Sequence, residues 1–172
     1  IDQRFVDDRP DVISYVSEPM SHPMQISGAP LVHLYASTSG SDSDWVVKII
    51  DVYPHTYPAD PPMGGYEFPL SMDIFRGRYR TNFARPAPIE SDKPLLYTFA
   101  LPNINYQLQP GHRLMVQIQS SWFPHYDRNP QTYVDNIFFA KPDDYRKAWQ
   151  KIWHTPKEPS SISMPVIPVR SH

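Results

Sequence analysis

An all-β sandwich with one short helix is the fold this sequence predicts, and three observations predict it. Proline accounts for 21 of 172 residues while glycine accounts for only 6, against a usual proline share of about 5%. Aromatic residues reach 13%, with tryptophans at 45, 122, 149 and 153, which separates the chain from proline-rich disorder. The prolines fall between aromatic and β-branched runs, the pattern of short strands joined by rigid turns.

Taken in order, Ile1 to Val12 is charged and reads as a lead-in loop, with pairing starting at Val12–Val16. Leu31–Thr38 alternates, placing Val32, Leu34 and Ala36 on one face and His33, Tyr35 and Ser37 on the other. Trp45–Tyr53 is rich in β-formers, is stopped by Pro54, and reads as a central strand. The loop Ser39-Gly40-Ser41-Asp42-Ser43-Asp44 between them consists of turn residues. From Pro54 to Pro69 the prolines and the Gly64-Gly65 pair predict a long loop. Strands follow at Leu70–Phe75, Leu95–Leu101 and Arg113–Gln119, the last after a Pro110-Gly111 turn, and a final strand is expected near Ile162–Val166. Pro142 to Gln150 begins with proline and acids and ends with bases, the charge order of a short helix. Eight or nine short strands with one helix read as a jelly roll. There is no internal repeat, so the whole of 1–172 reads as a single domain, a size that buries roughly 70% of its unfolded surface.

Composition excludes several functions. The absence of cysteine excludes disulfides, thiol catalysis and Cys-ligated metals. A net charge of −2 and a pI near 6.4 give no footprint for nucleic acid or an anionic membrane. No apolar run approaches the ~20 residues of a spanning helix. The glycines lie at 28, 40, 64, 65, 77 and 111. No two are four apart, which excludes a Gly-x-Ser-x-Gly nucleophile elbow, and no two are two apart, which excludes Gly-x-Gly phosphate loops. No cofactor motif remains.

Looser constellations are present, each with a plainer reading. Ser120, Ser121, His125 and Asp127 match a nucleophile, base and orienter in type, but working triads assemble from distant elements, and a hydrogen-bonded strand exit is the simpler reading. Asp42 and Asp44 offer oxygens to calcium, yet six to eight ligands are needed and no neighbouring acidic loop supplies the rest. The histidines at 22, 33, 55, 112, 125, 154 and 172 contain no His-x-His pair, and no metal is expected. The segment Trp122-Phe123-Pro124-His125-Tyr126, followed by Asp127 and Arg128, caps the core, anchors an interface or stacks on sugar. Arg76, Arg78 and Arg80 form a solvated surface or pair with carboxylates of another domain.

Five ordered segments together resemble a known family: Asp2–Val12, Ala36–Trp45, Phe75–Arg80, Pro110–Gln117 and Ser120–Pro130. They are similar to the C-terminal jelly-roll domain, galactose-binding-like in fold, of the α-amino-acid ester hydrolases, which group with cocaine esterases, acylases and X-Pro dipeptidyl-peptidases. Met63-Gly64-Gly65-Tyr66-Glu67 tilts the resemblance toward the ester hydrolases. It implies a serine hydrolase acting on esters and amides of α-amino acids, β-lactams among them, with its triad in a preceding α/β-hydrolase domain absent from this chain. No catalytic residue carries over, which agrees with the missing elbow. The resemblance implies that domain as partner, with an exported and oligomeric parent as further expectations. Binding or interface residues are expected at Asp42, Asp44, Trp45, Arg78, Trp122, Phe123, Tyr126, Asp127 and Arg128, on loops near the catalytic domain. The alternatives are a free-standing carbohydrate-binding module, an accessory domain of an X-Pro dipeptidyl-peptidase, and a complete small hydrolase built on Ser121, His125 and Asp127.

Overall fold

The computed structural model describes residues 2–168. The strands are β1 (Val12–Val16), β2 (Met24–Gly28), β3 (Leu31–Thr38), β4 (Asp44–Val52), β5 (Glu67–Arg76), β6 (Leu95–Ala100), β7 (Ile104–Leu108), β8 (Arg113–Gln119), β9 (Gln150–Ile152), β10 (Ser161–Ser163) and β11 (Val166–Ile167). They pair antiparallel in three sheets: β1-β8-β4-β5, β10-β3-β6 with β9 also on β3, and β11-β2-β7. This is the predicted all-β sandwich. Trp45, Val47, Ile49, Phe75 and Ile118 of the first sheet meet Val32, Leu34, Ala36, Tyr97 and Phe99 of the second, with Ile26 and Ile104 from the third.

β3 has the predicted bounds, and Val32, Leu34 and Ala36 point inward as its alternation requires. β1 and β8 also run as expected. β4 is buried at eight successive positions, because both faces of its sheet are covered. One cover is the core. The other is the lead-in segment, a strap rather than a loose loop. Val6 is fully buried, the Gln3 N–H donates to Glu67 O at 3.1 Å, and Lys48 Nζ donates to Gln3 Oε1 at 2.8 Å.

Three expectations are corrected. The helix predicted over 142–150 is a single 3-10 turn at Pro142–Asp144, after which the backbone extends into β9. Nine residues make a marginal helix, and the edge of β3 claims this backbone instead: Thr38 pairs with Gln150, and the Trp149 N–H donates to Ser39 Oγ at 2.9 Å. The long loop ends earlier than Pro69, since β5 starts at Glu67. It carries Pro69 on an edge strand at a register shift opposite Ile49/Ile50, where a missing N–H is tolerated. The last predicted strand is two short ones, β10 and β11. Strands β2, β7 and β9 were not anticipated, being three to five residues long with few apolar positions.

Candidate functional site

The β3–β4 loop carries two of the predicted residues into the interior. Asp42 is fully buried; its Oδ1 accepts from Ser43 N at 2.9 Å, and its Oδ2 accepts from Arg78 Nε and Nη2 at 2.9 and 2.6 Å. Arg78 lies on the 3-10 turn Gly77–Tyr79 that follows β5, with its guanidinium 4.7 Å from the Tyr133 ring centroid. The turn comes this close because Gly77 has no side chain: a Cβ there would meet Ile89 Cδ1 at 2.7 Å and Ser43 O at 2.9 Å. A guanidinium therefore occupies the position a cation would take, and no cluster of three acidic, His or Cys groups suited to a metal exists among the described residues. Removing one partner of such a buried pair typically costs about 3–5 kcal/mol.

Asp44 opens β4 beside this pair. Burial pushes its carboxyl up to about 7, opposed by Arg76 at 3.6 Å and by Asn129 Nδ2 donating at 3.0 Å, and reinforced by repulsion from Asp42 and Asp127. Arg76 reaches on to Asp127 Oδ1 at 2.5 Å, while the buried Asp127 Oδ2 has no hydrogen-bond partner among the described residues. Arg80 donates to the carbonyls of Gly77, Ala87 and Pro88. The arginine cluster is thus turned inward. Trp45, next along β4, is a core residue whose ring lies tilted against Tyr97, 5.4 Å between centroids.

The loop after β8 contributes the remaining predicted residues. Its Phe123-Pro124 bond is cis, and Tyr126 N donates to Trp122 O at 2.9 Å. The rings of Trp122, His125 and Tyr126 cluster in tilted and edge-to-face contacts, with centroids 4.8 Å (Trp122–His125), 5.6 Å (Trp122–Tyr126) and 5.0 Å (His125–Tyr126) apart. Phe123 is exposed, and Arg128 lies between the rings of Phe123 and Tyr145 at 5.7 and 5.9 Å. No hydrogen bond joins Ser121, His125 and Asp127 among the described residues: the aspartate is committed to Arg76 and the histidine ring to its aromatic neighbours.

The structure therefore divides the predicted set. Asp42, Asp44, Trp45 and Arg78 form the foundation, Tyr126 and Asp127 line a surface cleft, and Arg128 faces a second one. The first cleft, of about 410 Å³, is completed by Arg76, Tyr79, Phe83 and Phe138. Phe83 and Phe138 are 80% and 76% exposed, and Phe139 beside them 79%. These phenylalanines escaped the sequence reading, although Ile137-Phe138-Phe139 in a stretch with no strand pattern was a usable signal. Asn136 caps that turn, its side chain accepting from Phe138 N at 3.0 Å.

Two further polar groupings were also missed because only folding assembles them. Asp51 accepts from Tyr106 Oη at 2.7 Å and bonds His112 Nδ1 at 2.9 Å, with the imidazole packed on Tyr53 and Tyr57. This His–Asp pair is buried and no serine is hydrogen-bonded to it among the described residues, so it braces β4 against β7 and β8. Under the strap, burial and the neighbouring Asp7 push the Glu67 carboxyl up to about 7, and burial lowers Lys48 to about 8.

Comparison with known proteins places this architecture. Residues 4–163 match the X-Pro dipeptidyl-peptidase C-terminal non-catalytic domain. The chain is 34% identical over 168 residues to the cocaine esterase of Rhodococcus sp. (strain MB1 Bresler), covering 96% of itself and 27% of that protein. Among solved structures it is similar to an α-amino acid ester hydrolase (64% identity, TM-score 0.95, 96% of this chain and 27% of the other). It is also similar to an aminopeptidase from a marine-sediment archaeon, Thaumarchaeota archaeon (53%, 0.95, 97% and 27%). The chain thus spans about a quarter of the length of these relatives. With no nucleophile elbow in its sequence and with an antiparallel β-sandwich for its fold, the chain belongs to the family of X-Pro dipeptidyl-peptidase C-terminal non-catalytic domains.

Proposed function

We propose that the chain, 1–172 as one domain, is the accessory part of a serine hydrolase, and that it docks on the α/β-hydrolase domain of the same parent through the Phe83–Phe138 face and helps wall its pocket. The observation that carries this is the pair Phe83 and Phe138, each at least 76% exposed, lining one cleft together with Arg76 and Asp127. Large exposed aromatics rimmed by charge are the composition of an interface. A docked domain helps a hydrolase by excluding water and fixing dipoles near the reacting carbonyl, without supplying a catalytic group.

The parent's substrates, in this reading, are esters and amides of α-amino acids, β-lactams included. The similarity to an α-amino acid ester hydrolase at 64% identity supports this. Similarity to an aminopeptidase at 53% supports a second reading, a peptidase parent, in which the domain does the same work. In the intact parent, replacing Phe83 and Phe138 together by Ser is expected to lower the thermal midpoint and to expose the interdomain boundary to limited proteolysis. Tyr126→Ala is expected to change kcat/KM. Unchanged stability, proteolysis and kinetics in these variants would overturn the docking proposal.

A further inference from the structure

Arg128, Arg146 and Lys147 converge on a cleft of about 320 Å³ that is also lined by Ser120, Ser121 and Tyr145 and has no carboxylate in its lining. The chain carries a net charge of −2, so three cations without an acid between them reverse the local sign. Among the described residues none of the three makes an ion pair. Arg128 is ordered by the rings of Phe123 and Tyr145, which hold a guanidinium without neutralising it. Arg146 is tied down through its backbone, its N–H donating to Pro130 O at 2.9 Å, while its Nη1 reaches only the Tyr145 carbonyl at 3.3 Å.

The opposite wall is equally fixed. Gln119 Nε2 donates to Ser121 O at 2.6 Å and sets the exit of β8, leaving both serine hydroxyls without a protein partner among the described residues. Behind them Asn129, 6% exposed, is locked by Asp44 and by the Gln131 N–H at 2.9 Å. Cationic and hydroxyl donors from three stretches of chain outnumber what the two oxygens of one carboxylate accept, and suit a group with three or four oxygens and two charges.

We propose that this cleft binds a dianionic tetrahedral oxyanion, the chemistry of phosphate, either free or carried on a small phosphomonoester. It shares no lining residue with the Phe83–Phe138 cleft, so a test of one does not depend on the other.

The test is a titration of the isotope-labelled 172-residue chain with inorganic phosphate, followed by NMR, with sodium chloride at matched ionic strength and acetate as controls. Saturable shifts are expected at Ser120, Ser121, Arg128 and Arg146 with phosphate and not with the controls. Arg128→Gln and Arg146→Gln are each expected to weaken binding about tenfold or more, the loss of one charge-assisted hydrogen bond. Both side chains are exposed, so both variants should unfold at the wild-type temperature without phosphate and lose the phosphate-induced rise. Glycerol phosphate binding tighter than inorganic phosphate would assign the site to a carried group, and equal or weaker binding to the free ion. Shifts that follow ionic strength alone, acetate binding as well as phosphate, or variants that bind like wild type would overturn the proposal.

Discussion

Asp44, 1% exposed and 3.6 Å from Arg76, shows how a single residue here answers to its surroundings. Its carboxyl is pushed up to about 7, against 3.8 in the unfolded chain, chiefly by burial. Below pH 3.8 both states are protonated and the group contributes nothing. Between about 4 and 7 the unfolded chain releases its proton while the folded one keeps it, so stability falls as pH rises through this window and levels off above it. Asp44→Asn keeps an acceptor for Asn129 and removes the titration. Relative to wild type the variant should gain stability from pH 4 to 7, on the order of 1–4 kcal/mol, read as urea midpoints across that range. A difference between the two proteins that does not change with pH would refute the assignment. Glu67 acts in the same window and in the same direction, so part of the slope should survive the substitution. Neither shift is legible in the sequence, where Asp44 is one more acid in a turn. Burial decides it, and the groups that temper or reinforce it, Arg76, Asn129 and Asp127, come from two distant stretches of chain.

The element that organises the candidate site is the β3–β4 loop. It is composed of Ser, Gly and Asp, which the sequence reads correctly as a turn, yet it serves as a hub. Ser41 N donates to Gln131 O, Ile89 N to Ser41 O, Tyr133 N to Ser41 Oγ, and Asp92 N to Thr38 O. Gly40 is the tightest point, because a Cβ there would lie 2.2 Å from the Gln131 carbonyl oxygen, a backbone atom that cannot swing aside. Gly40→Ala should therefore cost about 1–3 kcal/mol and loosen the Asn129–Gln131 segment. Gly111→Ala is the comparison: the added methyl finds only Pro54 Cγ at 3.7 Å, and its cost, from a φ of +83°, should be about 1 kcal/mol. Thermal unfolding of the two variants checks the order, and an equal or reversed order would remove the hub from the account. Strands β3, β4 and β8 were legible because alternation and β-branched content act within a strand. The 142–150 segment was misread because its charge order favours a helix locally, while the open edge of β3 offers a full set of backbone partners.

Across the whole molecule, two surface features lie apart from each other. The aromatic cleft at Phe83 and Phe138 and the basic cleft at Arg128 and Arg146 share no lining residue, and the strap carries mixed charge, with Asp2 paired to Arg4 and Asp11 to Arg9. Separated from any partner, the chain should bind a solvent-sensitive apolar dye while natively folded. Phe83→Ser with Phe138→Ser should reduce that fluorescence by more than half with no loss of the sheet signal in circular dichroism. Dye binding that is unchanged in the double variant would place the sticky surface elsewhere, the apolar crevice near Tyr15 and Ile162 being the next in line.

The sequence by itself determined the fold class, the principal strands, the absence of a nucleophile elbow and the family resemblance, because those depend on local periodicity, composition and ordered segments. The tertiary structure decided which charged residues face solvent. Asp42 and Arg78 look like surface residues in a loop and a basic run, and they become a buried pair only once β5 returns beside the β3–β4 loop. It also assembled the aromatic cleft: Phe83, Phe138 and Tyr126 come from three separate segments and meet only when the sandwich closes, and a linear pattern carries no record of such distances.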